Sequence, residues 1–144
     1  MTVPVLTIPV LAVLGFAVWT LLILFGTVGV YRWRRILTGR TRIGQWTADP
    51  DGGTGVYPRA MRAHMNCIEN LPVFLAIVFA VDRAGLAAPA LDTLALTVLG
   101  ARMAQSTVHI ALAPSDGAAY ARFGFYFVQI LAMFAMVAIL IAAL

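Results

Sequence analysis

Arg59, Arg62, Asn66 and Glu69 lie in the stretch Arg-Ala-Met-Arg-Ala-His-Met-Asn-Cys-Ile-Glu-Asn-Leu-Pro, residues 59–72, immediately before an apolar run. The run, Leu71 to Val81, is 11 residues, or roughly 17 Å of helix against the roughly 30 Å of a bilayer core. It spans a membrane only if the helix extends back to about Arg62, which carries the polar groups into the bilayer. Ionisable groups at that depth mark a binding site or an internal pairing. The four residues step by 3, 4 and 3, so the spacing predicts one shared helical face. Guanidinium groups bind carboxylates bidentately, and a lone Glu among them accepts an ammonium. The expected ligand chemistry is therefore a small anion that also carries an ammonium.

Two more polar stripes extend this expectation. Arg102 lies near the middle of another apolar stretch, about 15 Å from either end, where an unpartnered guanidinium costs several kcal/mol. Glu69 is the acid at comparable depth, so an Arg102–Glu69 ion pair is expected, whether it fixes helix register or forms part of a site. Gln105 and His109 continue the stripe at i+3 and i+7. Near the start of the last apolar stretch, Arg122, Tyr126 and Gln129 form a third stripe at i, i+4 and i+7. Three stripes at one membrane level predict one shared cavity. Arg59, Arg62, Arg102 and Arg122 there, opposed by Glu69, favour carboxylates or a thiolate.

The elements that must position these groups are membrane helices. The chain is 62% apolar and 11% charged, with 144 residues and a mean hydropathy of +0.92, a composition that excludes a soluble globular protein. Four spans are expected at about 5–31, 60–82, 91–112 and 120–144, an all-α four-helix bundle in a single domain over 1–144. No Lys or Arg precedes the first span, so it reads as a retained helix rather than a cleaved signal, with Pro9 near its start. All ten basic residues are Arg, and seven (32, 34, 35, 40, 42, 59 and 62) lie in or beside the first loop. The positive-inside rule makes that loop cytoplasmic and puts both termini on the other side. The net charge of +4 is then a topology signal first and an affinity for anionic headgroups second. With no recognition module around the basic residues, nucleic acid is not an expected partner. The first loop, with Gly39, Gly44, Gly52, Gly53 and Gly55, exceeds what a bundle connection needs and suits a lid, a subunit contact or simple flexibility.

Other residues have plainer readings. His64 is more often a hydrogen-bonding residue than a catalyst, and His109 is the only other His, so no metal site is expected. Cys67 is the single Cys, which excludes an internal disulfide and suits packing. Asn70 backs Glu69 or the backbone near Pro72, and Pro72 predicts a kink that can open a cavity. Trp19, Trp33 and Trp46 suit interfacial or lipid-facing positions. Asp49 and Asp51, beside Pro50, read as turn residues.

Over residues 59–72 the chain resembles the membrane-associated proteins in eicosanoid and glutathione metabolism, the MAPEG family, whose second helix carries an Arg-Ala-His-x-Asn-x-x-Glu pattern. Arg62, Ala63, His64, Asn66 and Glu69 match it. Arg32 and Arg34 in the first loop, Arg102 in the third helix and the Arg122/Tyr126 pair in the fourth follow the family's order across nearly the whole chain. The resemblance implies a homotrimer of four-helix subunits that binds glutathione between neighbours and admits a lipophilic substrate from the membrane. It implies that Arg62, Asn66, Glu69 and Tyr126 are glutathione ligands, that Arg32 or Arg34 reaches the tripeptide, and that Arg122 lies near the sulfur. Arg59, His64, Arg102, Gln105 and His109 complete the candidate binding set. A cation beside sulfur raises the thiolate fraction, which activates it for attack on an electrophile or peroxide.

Two departures narrow this. Phe123 stands where prostaglandin-synthesising members have Ser, and Gln105 and His109 stand where they have His and Tyr, which argues against specialised prostaglandin synthesis. The expected function is a glutathione-dependent (or other thiol-dependent) transferase or peroxidase acting on lipophilic electrophiles or lipid hydroperoxides, with Arg122 and Tyr126 catalytic. The alternative is a non-catalytic lipid-binding scaffold such as the family also contains. The Lys-free, Ala/Arg-rich composition points to a GC-rich bacterial genome, and the expected location is the bacterial inner membrane with the site toward the cytoplasm.

Overall fold

The computed structural model describes residues 6–45 and 55–144, and every element among them is helical. Helix α1 (Ile8–Ile23) passes through a π-helical segment, Leu24–Gly29, into α2 (Val30–Leu37); a short 3-10 turn, Ile43–Gln45, follows. Then come α3 (Tyr57–Arg83), α4 (Pro89–Ala111) and α5 (Asp116–Ala143). The expected start of the first helix at Val5, Trp46 and the turn at Asp49 and Asp51 lie outside the described residues.

Local sequence accounts for these ends. Thr7 is extended and Pro9 follows in the first turn of α1, where the missing N–H is no loss. Pro58 and Pro89 stand at the same place in α3 and α4. Ser115 accepts a hydrogen bond from Ala118 N at 3.2 Å and Asp116 sits in the first turn of α5. That cap starts α5 four residues before the expected Tyr120. Gly85, at φ +65°, ends α3: its N–H and that of Leu86 return to the carbonyls of Asp82 and Val81 at 3.0 and 3.2 Å, the Schellman pattern that needs a left-handed residue.

The first helix is also longer than expected, running to Leu37 rather than Tyr31, so Arg32, Arg34 and Arg35 are helical rather than in a loop. Its buried residues explain the π segment. Phe16, Thr20 and Ile23 are spaced as in an α-helix, but the next buried residue is Val28, five positions on. A π turn inserts that fifth residue and keeps the buried face continuous.

The main core is apolar and joins α1, α3, α4 and α5 through Phe16, Phe74, Val78, Leu91, Val98, Met133 and Met136, among others. The rings of Phe16 and Phe74 lie 6.1 Å apart. The outer faces carry many exposed large apolar side chains, including Leu22, Phe25, Phe79 and Phe134, a surface that belongs in lipid. Three helical stretches, Ile8–Leu37, Tyr57–Arg83 and Asp116–Ala143, are long and apolar enough to cross a membrane. Helix α4, at 23 residues, has the length but is less apolar, because Arg102, Gln105, Ser106 and His109 fall within it.

Candidate functional site

The three polar stripes meet. A cavity of about 510 Å³ takes Arg62, Asn66, Glu69 and Asn70 from α3, Arg102, Gln105 and His109 from α4, and Arg122, Phe123 and Tyr126 from α5, with Ala119 leaving room at its edge. An adjoining hollow of about 290 Å³ repeats Arg62, Asn66, Glu69 and His109 and adds Met65. Arg62, Arg102 and Arg122 face a single acid, Glu69, so the walls carry two more positive than negative formal charges. A carboxylate-bearing guest offsets that excess and a neutral one does not.

Arg102 is fully buried, with its guanidinium 5.7 Å from the Phe16 ring centroid. Its Nη1 donates to Gln105 Oε1, while Nε and Nη2 have no hydrogen-bond partner. The expected Arg102–Glu69 ion pair is thus not the contact that holds Arg102. Gln105, one turn away on the same helix, reaches the guanidinium first, and the cation rests on an aromatic face. Glu69 shares the cavity and its field with Arg102, but its side chain is exposed on the opposite wall.

Asn70 is committed to structure. Its Nδ2 donates to Asn66 O at 2.8 Å and its Oδ1 accepts from Gln129 Nε2 at 3.2 Å. The fully buried Gln129 thereby ties α5 to α3 rather than lining the cavity. Beneath the wall, Cys67 Sγ lies 3.5 Å from Ser106 Oγ, and Ser106 Oγ donates to Arg102 O at 2.8 Å. Cys67 is fully buried in the main core. Sequence reasoning passed over Ser106, although its position one turn after Arg102 on the same buried face was a usable signal.

Four residues of the candidate set lie elsewhere. Arg59 Nε donates to Ile110 O at 3.1 Å, satisfying one of the carbonyls left open at the end of α4. It shares a face with Arg62 but sits a turn nearer the helix end, and the carbonyl captures it. His64 is buried and absent from the cavity wall. It is two positions from Arg62 and from Asn66, about 200° of helical rotation, so it faces away with Ala60 and Cys67. Arg32 Nε donates to Tyr57 Oη at 2.9 Å, and its guanidinium lies 5.7 Å from that ring's centroid. Tyr57 stacks on Tyr31 at 4.5 Å between centroids. Arg34 is exposed on α2.

Helices of this length and apolarity around a charged cavity define an integral membrane protein. The family model described as the MAPEG family matches residues 9–142, nearly the full chain. The chain belongs to the MAPEG family, a family of membrane proteins of eicosanoid and glutathione metabolism that includes glutathione transferases and related enzymes. Comparison with curated proteins and with solved structures finds no significant match.

Proposed function

We propose that this protein is a glutathione-dependent transferase or peroxidase acting on lipophilic electrophiles or lipid hydroperoxides. The observation that carries the reading is the cavity that sets Arg122 and Tyr126 of α5 opposite Arg62, Asn66 and Glu69 of α3. Arg62 and Arg102 take the tripeptide's carboxylates, Arg102 through its two unpartnered nitrogens. Asn66 adds a hydrogen bond, Glu69 accepts the ammonium, and Gln105 and His109 line the floor between them. The sulfur then lies beside Arg122, whose charge favours thiolate over thiol, and the Tyr126 hydroxyl donates to it. Attack on an electrophile R–X forms the S–C bond and expels X⁻. With a hydroperoxide, the thiolate attacks the terminal oxygen, the O–O bond breaks to give sulfenic acid and an alkoxide, and the alkoxide takes up the proton that the thiol gave up to leave as the alcohol; a second glutathione then gives the disulfide and water.

What one chain leaves open supports an assembly. Arg62 and Glu69 are exposed and Asn66 is half-buried on a helix that crosses the membrane, and charged groups facing hydrocarbon are costly. A neighbouring subunit covers them in a homotrimer of four-span chains, and Arg32 of that neighbour approaches the bound tripeptide. Arg59 and His64 serve the packing of α3. The Arg-rich segment faces the cytoplasm of a bacterial inner membrane by the positive-inside rule. The lipophilic substrate enters along the exposed Phe123 and Phe127 face of α5, whose rings stack at 6.5 Å.

The second reading, a lipid-binding scaffold without chemistry, draws on the same aromatic face, since Phe123 supplies bulk and no hydroxyl at the cavity edge. Titrating purified protein with glutathione separates the two. The enzyme gives a thiolate difference absorbance and turnover with an aryl halide or a lipid hydroperoxide. Binding of glutathione with neither signal replaces the enzyme with the scaffold.

A further inference from the structure

The chain leaves α2 through a second Schellman turn, which holds several arginines at one membrane level. Gly39, at φ +69°, directs its N–H to Ile36 O at 3.0 Å, and Arg40 N–H returns to Arg35 O at 2.9 Å. Arg35 fastens the hook: its Nε donates to Thr41 Oγ1 at 3.2 Å and its guanidinium lies 5.7 Å from the Tyr31 ring centroid. The segment carrying Arg40 and Arg42 is therefore folded back toward the end of the helix instead of extending into water. Arg34, Arg40 and Arg42 are all exposed. Among the described residues, none of the three guanidinium groups has a hydrogen bond or ion pair.

Helix length sets the level. Ile8–Leu37 is 30 residues, about 45 Å, which matches a bilayer with both headgroup layers included. Counted from Ile8, Arg34 lies about 39 Å along the axis, beyond the hydrocarbon and within the headgroup layer. Beside it, Val30, Trp33 and Leu37 are spaced by 3 and 4 and are 57%, 56% and 80% exposed. An exposed apolar stripe flanked by arginines is the pattern of a helix lying against acyl chains with its cations among phosphates. A soluble anion would need the arginines without the stripe.

We propose that the α2 hook is a binding site for the headgroup of an anionic phospholipid, with Arg34, Arg40 and Arg42 on the phosphodiester and Trp33 and Leu37 against the acyl chains. The site is separate from the cavity and does not depend on the reading of its chemistry. It also goes beyond membrane orientation, because orientation by arginine count requires no preference among lipids in the finished protein.

The test titrates the full-length protein in nonionic detergent with phosphatidylglycerol, phosphatidylcholine or inorganic phosphate. Tryptophan fluorescence is read in a Trp19→Phe, Trp46→Phe background that leaves Trp33, and the thermal midpoint is read on the unaltered chain. Phosphatidylglycerol is expected to give a saturable change in both signals that weakens with salt, and the other two ligands none. Arg34→Gln, Arg40→Gln and Arg42→Gln, made singly, should each weaken the apparent affinity about fivefold. Each leaves nine of the ten arginines, so insertion and fold persist. Equal responses to the two phospholipids, the same response to inorganic phosphate, or full affinity in all three variants overturns the proposal.

Discussion

The apolar core and the cavity are built on the same helices, and they differ in what they leave unsatisfied. Around Phe16, Phe74, Val78 and Met136 the packing is apolar except where the Arg102 guanidinium lies over the Phe16 ring. Around Arg102 the helices bring together three guanidinium groups and one carboxylate, and leave Arg102 Nε and Nη2 without hydrogen bonds. Buried polar atoms in that state cost stability. The core is therefore what holds the helices together, and the cavity is a region whose buried polar atoms the fold carries at a cost.

That contrast is sharpest at Arg102. Replacing buried ionic groups with apolar side chains of similar volume is often neutral or stabilising, by about 1–4 kcal/mol, and here the replacement strands no charged partner, only the neutral Gln105 Oε1. Arg102→Met is expected to raise the thermal midpoint of the protein without ligand and to abolish the further rise that glutathione produces. A lower midpoint would show that Arg102 holds the bundle together rather than waiting for an anion.

Phe74→Ala tests the other region. In lipid the transfer contribution to helix packing largely cancels, but the void left by a phenyl ring still costs about 2 kcal/mol. The midpoint should fall while glutathione, measured well below it, binds as before. Loss of binding at low temperature would mean that the core also positions the cavity walls.

Arg122→Ala is expected to act on chemistry with little effect on stability. Removing a cation that lowers the bound thiol's pKa by one to two units forfeits about 1.4–2.7 kcal/mol. Turnover should drop about 10- to 100-fold and the thiolate absorbance disappear, while the tripeptide still binds. Arg62→Ala or Glu69→Ala should instead weaken binding itself.

The smallest expected effect is the coupling between Arg102 and Glu69. They line one cavity without a hydrogen bond between them, so a double-mutant cycle with Arg102→Met and Glu69→Gln should be additive to within about 0.5 kcal/mol in the ligand-free protein. A larger coupling would restore the direct ion pair that the sequence suggested.

Much of this was legible in order and spacing. An apolar composition with polar groups at helical intervals leaves a membrane bundle with an internal site as its physical solution, and the steps from Arg62 to Asn66 to Glu69 place those residues on one face whatever they pack against. The stripes Arg102, Gln105, His109 and Arg122, Tyr126 follow by the same geometry. Tertiary structure decided which polar group meets which. Arg59 is taken by the open carbonyl of Ile110, Arg102 by Gln105 and the Phe16 ring, and Arg32 by Tyr57; each outcome depends on the distance and tilt of a neighbouring helix, which residue spacing does not encode. His64 shows the limit from the other side, since a motif is contiguous in sequence while a helix turns its members through about 100° each. The π segment before α2 is a further tertiary decision, because only the packing of Val28 after Ile23 calls for the extra residue.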